Sequence, residues 1–312
     1  MPVAVRVFKA GMENIRPARP LAGILWMLVT GLCFVAVTAI VKFLGARIPP
    51  AEQAFLRYLL GLVFLIPMMP AMFRVQYDGK LLMQFGLRGV CHAMGVILWF
   101  FAMTRIPLAE VTAMNYLSPV YVTIGAAMFL GERLHARRIA AVVMALVGAV
   151  IILRPGFREV VPGHMAMMLA AVVFGGSYLL AKVTVDKVPA SVVVGMLSLV
   201  VTITLAPVAW AVWVTPTWIE IGILFGVACF ATAGHYTMTL AFAAAPVTVT
   251  QPVTFLQLVW ATALGALVFA EPVDIWVVIG GGVILASVTF ITWREAMLNR
   301  RQLTPPTPAT KV

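Results

Sequence analysis

Thr112, Tyr116, Pro119 and Thr123 recur at helical spacing through one apolar run of the chain. Residues three and four apart share a helix face, so two hydroxyls, a phenol and a proline line one side of that helix. A second run carries Gln251, Phe255, Leu258 and Thr262 in the same register. Two such faces suit recognition of a flat organic molecule. Tyr116 and Phe255 can stack on a ring, and the Gln251 amide can donate and accept hydrogen bonds at its edge. Asn115, Ser118 and Gln257 flank these positions. The competing reading is helix packing, with the hydroxyls bonded back to their own helix. Pro119 and Pro252 each remove an N–H well inside a helix, which frees a carbonyl and bends the axis, as a hinge or as a static kink.

Ionisable residues are few, and each needs a reason. Glu110 falls in the first turn of the helix that bears Tyr116, and Arg57 in the second turn of an earlier one. In lipid such groups are wet, snorkelled or paired. Glu110 is a candidate for a cationic substrate or a proton, against a headgroup or structural partner, and its depth permits a pair with Arg57. Glu132 and Glu271 each end a long apolar helix just before a short turn. There a carboxylate can accept N–H bonds from the start of the next helix and favour its positive end; a proton relay is the alternative. Lys42 and Lys182 lie near helix ends, where they snorkel or gate two openings by pairing in turn. His92 and His235 lie within apolar helices and read as hydrogen-bonding groups, with proton coupling as the sharper option.

No Walker-type G-x-x-x-x-G-K-[ST] sequence, HExxH or paired-cysteine pattern is present. Cys33, Cys91 and Cys229 sit inside apolar runs and read as small buried hydrophobes. No cofactor and no metal are expected. An intramembrane enzyme would need convergent mid-membrane catalytic groups, which the scattered histidines do not supply.

The elements that hold these residues follow from composition. The chain has 312 residues, of which 62% are hydrophobic and 11% charged, with a mean hydropathy of +1.03. About a quarter of an ordinary soluble domain is charged, so a lipid bilayer is the solvent this chain fits. The net charge of +11 does not form one basic face, which argues against nucleic acid. Ten apolar spans can be drawn, at 21–41, 51–70, 81–103, 107–130, 137–153, 163–182, 190–213, 218–241, 246–270 and 274–293. A helix crosses a hydrocarbon core about 30 Å thick with roughly 20 residues; the fifth span is short and needs its flanks to do so. With the N-terminus inside, fifteen Lys and Arg fall in cytoplasmic segments and five in outer loops. That bias places both termini in the cytoplasm.

The chain also resembles itself. A shift of 140 residues carries Gly23 to Gly163, Phe34 to Phe174, Lys42 to Lys182, Pro49 to Pro189 and Pro67 to Pro207. After a one-residue loss, a shift of 139 carries Pro107 to Pro246, Thr123 to Thr262 and Glu132 to Glu271. The expected fold is all-α: two five-helix repeats, 21–160 and 161–293, between tails 1–20 and 294–312. Five is odd, so the second repeat enters the membrane inverted, as in many secondary transporters.

Residues 107–156, PLAEVTAMNYLSPVYVTIGAAMFLGERLHARRIAAVVMALVGAVIILRPG, resemble the EamA-type half of the drug/metabolite transporter superfamily. The resemblance rests on the Pro-Leu-Ala entry, the mid-helix proline, the Leu-Gly-Glu end and the Gly-rich helix closing on Arg-Pro-Gly. The second repeat departs from it, with Leu258 in place of the mid-helix proline and no Arg-Pro-Gly. The first half is most similar to the branch that includes S-adenosylmethionine and riboflavin carriers. The resemblance implies a multi-pass inner-membrane carrier whose cavity is lined by helices one, three, four, six, eight and nine, which adds Trp99, Tyr178 and Tyr236 as candidate contacts. The expected function is secondary transport of a small organic metabolite by alternating access, through a cavity between the repeats. Amino acids, vitamins such as riboflavin, S-adenosylmethionine-like nucleosides and drugs are the substrate classes. Proton coupling, and a monomer or homodimer, stay open. A scaffold that moves no solute is the alternative from another class.

Overall fold

The structure, a computed structural model, describes residues 19–129, 131, 136–185, 187–245 and 247–303. Glu132 lies outside them, as do the side chains of Lys182 and Gln251 and residues 1–18 of the expected N-terminal tail. In chain order, α1 is Pro20–Leu44, α2 is Pro50–Gly61 with a continuation to Phe73, and α3 is Gly79–Met103. The segment α4 is a pair, Leu108–Asn115 and Ser118–Phe129, and α5 is Ala136–Leu153. Then come α6, Pro162–Val185; α7, Ala190–Ala211; and α8, Trp218–Ala244. The segment α9 is also broken, into Val247–Thr250, a 3-10 stretch Gln251–Thr254, and Phe255–Phe269, and α10 is Ile275–Leu303. That last helix runs past the expected span end at 293.

Among the described residues, nine helices are long and apolar enough to cross a membrane. The exception is α4, whose two pieces have eight and twelve residues. Large apolar side chains cover the outside: Leu21 is 69% exposed, Ile203 63% and Leu267 85%. In water this would be one continuous sticky surface; in lipid it is the expected exterior. The chain is an all-α, multi-span membrane protein. Trp210 and Trp218, at the loop between α7 and α8, are among its most exposed aromatics, where an amphipathic ring suits the headgroup layer.

Local chemistry sets the helix ends. Pro20, Pro50 and Pro162 begin α1, α2 and α6, where a missing N–H costs nothing. Asp78 accepts the Leu81 N–H at 2.7 Å to start α3. Thr217 and Glu220 form a reciprocal capping box on α8. Hydroxyls inside the helices bond back four residues, as Thr38 does to the Phe34 carbonyl at 2.9 Å. This satisfies each polar group without water.

The long helices pack in pairs drawn from the two parts of the chain: α1 along α8, α3 along α6, and α5 along α10. Glycine permits the closest approaches. A Cβ on Gly148 would stand 2.7 Å from the Gly280 carbonyl oxygen, and one on Gly280 2.5 Å from that of Gly148. Ala145 and Ala149, which flank this contact, are almost wholly buried. The small-residue stripes of α5 and α10 therefore face each other. Two further pairs are tight: Gly23 meets Ala245 and Gly163 meets Ile106; Phe34 presses on Gly234 and Phe174 on Gly95.

Candidate functional site

The two broken segments meet at the centre. In α4 the Tyr116 and Leu117 N–H groups bond to carbonyls three residues back, Ala113 and Met114, at 3.2 and 3.1 Å. This tightened turn ends the first piece. Pro119 then enters as the second residue of the next, where its ring does no harm. In α9 the 3-10 stretch holds Pro252 in the same way. Tyr116 Oη donates to the Thr254 carbonyl at 2.7 Å and so ties one break to the other.

Above this junction lies a cavity of about 320 Å3. Phe34 and Thr30 of α1, Arg57 and Tyr58 of α2, and His92 and Trp99 of α3 form part of its wall. Asn115, Tyr116, Ser118 and Pro119 come from α4, Phe174 and Tyr178 from α6, His235 from α8, and Thr254 and Gln257 from α9. Every helix that the family resemblance implied contributes, and α2 is an addition. Aromatic rings make the wall continuous. Phe174 stacks with Tyr178 at 6.2 Å between centroids, His92 lies 5.1 Å from Phe174, and Trp99 stands edge-on to Phe174 at 6.3 Å. His235 meets Phe34 edge-on at 5.1 Å. His92 Nδ1 and Ser177 Oγ share a hydrogen bond at 3.2 Å.

A belt of ion pairs closes one end of the bundle. Lys42, at the end of α1, pairs with Glu271, just beyond α9, and also donates to the Ile106 carbonyl at 2.9 Å. The other Glu271 oxygen accepts the Leu108 N–H at 2.9 Å. Glu271 therefore caps α4, not the helix that comes after it in sequence; Asp274 supplies that cap through the Trp276 N–H at 2.9 Å. Glu110 holds Arg158 in a two-pronged pair at 2.9 and 2.7 Å. That carboxylate raises the Arg158 guanidinium above its ordinary pKa. His164 accepts the Val161 N–H at Nδ1, at 3.0 Å, which leaves Nε2 facing Glu110. Arg154 pairs with Asp274 across α5 and α10. Its backbone is left-handed, with φ of 43°, and Gly156 follows at 89°, so the Arg-Pro-Gly turn aims both arginines into the belt. Arg47 pairs with Glu220 on the rim.

The structure sorts the residues singled out in the sequence. Trp99, Tyr116, Tyr178, Arg57 and Pro119 line the cavity, as do His92, His235 and the flanking Asn115, Ser118 and Gln257. Thr112 and Thr123 are buried in helix contacts, and Thr123 bonds back to the Pro119 carbonyl at 3.0 Å. Phe255 and Pro252 turn outward and line a shallow apolar groove beside Leu285 and Trp293 of α10. Tyr236 is 62% exposed on the outer surface and is not brought to the cavity. Glu110 does not pair with Arg57. It belongs to the belt, while Arg57 stacks over Tyr58 with 4.0 Å to the ring centroid. Lys42 and Glu271, placed separately in the sequence, are partners. Glu132 and the side chains of Lys182 and Gln251 lie outside the described residues. Sequence reasoning missed Phe174 and the binding partners Arg158, His164 and Asp274. Phe174 matches Phe34 in the repeat, which was the one signal for it. Among the described residues, no group of three His, Cys, Asp or Glu is arranged to hold a metal ion.

Comparison with known proteins agrees with this architecture. A family model described as the EamA-like transporter family matches residues 21–154 and 161–293. A riboflavin transporter of Rhizobium johnstonii is 28% identical over 294 residues, covering 92% of this chain and 96% of the relative. An S-adenosylmethionine uptake transporter of Rickettsia felis is 26% identical over 288 residues, covering 90% and 96%. A crystal structure at 18% identity aligns with a TM-score of 0.56 over 89% of this chain and 96% of the other.

Proposed function

The chain belongs to the EamA-like transporter family, and from that premise we propose that it is a secondary carrier working by alternating access, with the cavity at the Tyr116–Thr254 junction as its binding site. Small-molecule transport across the inner membrane is the family's activity, and its members are not enzymes. The mechanism and the site are the further step. One observation carries it: the cavity lies where the two broken helices meet, so its walls come from both parts of the chain. Broken helices at a repeat interface supply free carbonyls and a point of bending.

The paired contacts support a ten-helix inverted repeat. The repeat alignment, a shift of 140 before the one-residue loss and 139 after it, carries Gly23 to Gly163 and Ile106 to Ala245, and these are the two partners of those glycines. It likewise exchanges Phe34–Gly234 with Phe174–Gly95. Five segments in each half invert the second. With both termini in the cytoplasm, the belt of Lys42, Glu271, Glu110, Arg158 and Asp274 faces outward, and this conformation is closed on that side. A substrate enters from the cytoplasmic end, the halves rock about the α4–α9 junction, and the belt must part to release it. The relatives' riboflavin and S-adenosylmethionine both carry a flat heteroaromatic ring, which suits the walls of Trp99, Phe174 and Tyr178.

The test is flux in proteoliposomes, with labelled riboflavin, S-adenosylmethionine, amino acids, aromatic acids and lipophilic drugs offered separately, with and without an imposed pH gradient. Protein-dependent flux of at least one solute, reduced about tenfold in Trp99→Ala and Gln257→Ala, is expected from the loss of stacking and of a hydrogen bond. Folded, inserted protein that moves none of them would leave the scaffold reading in place. A response to the pH gradient would identify proton coupling.

A further inference from the structure

We infer that the cavity is built for a planar aromatic compound that carries negative charge; this rests on the cavity being the transport site. Among the described residues the lining contains a single side chain of fixed charge, Arg57, and no aspartate or glutamate. Arginine stays protonated in proteins, so a positive charge is held half-buried within the membrane. Among the described residues no carboxylate pairs with it; its guanidinium lies over the Tyr58 ring. The buried carboxylates Glu52, on the same helix, and Glu110, on α4, have other partners. Glu52 accepts the Val214 N–H at 2.8 Å, and Glu110 holds Arg158 and His164. Lys42, Arg47, Arg154 and Arg158 each have a carboxylate partner, and the buried Arg88 donates to the Val193 carbonyl at 2.9 Å.

A second observation points the same way. Asn115 and Ser118 line the cavity at the α4 break, and among the described residues Asn115 Oδ1 and Ser118 Oγ, both buried, have no hydrogen-bond partner. Buried polar atoms are almost always satisfied, and an unpaired cation in a low-dielectric site is costly. An arriving carboxylate would meet Arg57 as counter-charge. The rings of Trp99, Phe174 and Tyr178 then cover the flat face. A cationic ligand finds no counter-ion here and meets Arg57 as a like charge.

The experiment uses the purified full-length chain in nanodiscs and three probes that share one ring: indole-3-acetate, indole-3-acetamide and tryptamine, which are anionic, neutral and cationic. Their dissociation constants are measured by calorimetry at low ionic strength. Indole-3-acetate is expected to bind about tenfold or more tighter than the amide, the gain typical of a charge-assisted hydrogen bond over a neutral one, with tryptamine weakest. Arg57→Gln should bring the acid-to-amide ratio near one, and Arg57→Lys should keep it above one. Equal binding of acid and amide, tighter binding of tryptamine, an unchanged ratio in Arg57→Gln, or no binding of any probe at millimolar concentration would each overturn the inference. None of these outcomes touches transport itself. If liposome flux of some other solute is found while the acid fails to bind, the substrate class falls and the carrier stands.

Discussion

At the scale of single residues, the aromatic wall depends on Gly95. Phe174 keeps its place because Gly95 has no side chain; a Cβ there would stand 2.6 Å from the ring. Gly95→Ala should therefore push Phe174 toward the cavity and weaken substrate binding about tenfold, through a displacement of the ring that stacks. Gly86→Ala on the same helix α3 is the matched comparison, since nothing lies within 4 Å of its Cβ. It should leave binding unchanged and stabilise the helix by up to about 1 kcal/mol. Equal effects of the two substitutions on affinity would remove Phe174 from the site. Much of the wall was legible beforehand. Tyr116 was readable from its helix face, whereas Trp99 and Tyr178 followed from the cavity-lining helices that the family resemblance implied. Phe255 and Thr112 were misplaced for one physical reason. Their face was extended across a break, and a 3-10 turn has 3.0 residues against 3.6 in an α-helix. Each break rotates the residues beyond it, which brings Asn115, Ser118 and Gln257 to the cavity in their stead. Tyr236 fails differently: a helix wheel cannot tell lipid from cavity when both surroundings are apolar.

At the scale of elements, helix existence was readable and helix continuity was not. The spans near 107–130 and 246–270 looked like single long helices, because hydropathy is blind to where a carbonyl loses its partner. The prolines located the disturbance, but whether each makes a bend or a break depends on what receives the freed groups; the Tyr116 hydroxyl on the Thr254 carbonyl is one such receiver. The stripes in α5 and α10 were also visible as small residues, without their partner. Their contact is backbone on backbone between Gly148 and Gly280. Gly148→Val should force these helices apart and cost about 1–3 kcal/mol, the usual range for overpacking, seen as a lower melting temperature in detergent. Val143→Leu in the same helix, at a lipid-facing position that is 51% exposed, should change nothing measurable. A melting temperature unaffected by Gly148→Val would mean that the α5–α10 contact contributes little to holding the two halves together.

At the scale of the whole molecule, the Lys42–Glu271 pair joins the end of α1 to the end of α9 and so bridges the two halves. The sequence shift that relates the halves carries Lys42 to Lys182 and Glu271 to Glu132. The exchanged pair would bridge the same two halves at the opposite end of the bundle. Gly131 and Ala270, which precede the two glutamates in sequence, both have a left-handed backbone, with φ of 69° and 51°. A carrier that opens one end at a time cannot hold both bridges firmly at once. Breaking the outer one should therefore favour the inner one. In a background with Cys33, Cys91 and Cys229 replaced by alanine, cysteines are placed at 132 and 182 and joined by a short thiol-specific linker. The yield should rise several-fold when Lys42→Gln is added, since an ion pair at a partly buried site biases an equilibrium by about 1 kcal/mol or more. The reversed pair Lys42→Glu with Glu271→Lys should return the yield toward its starting value by restoring the outer bridge with its charges exchanged. A yield indifferent to Lys42→Gln would make the outer pair a static bolt that holds Leu108 in place, and would separate closure of that end from opening of the other.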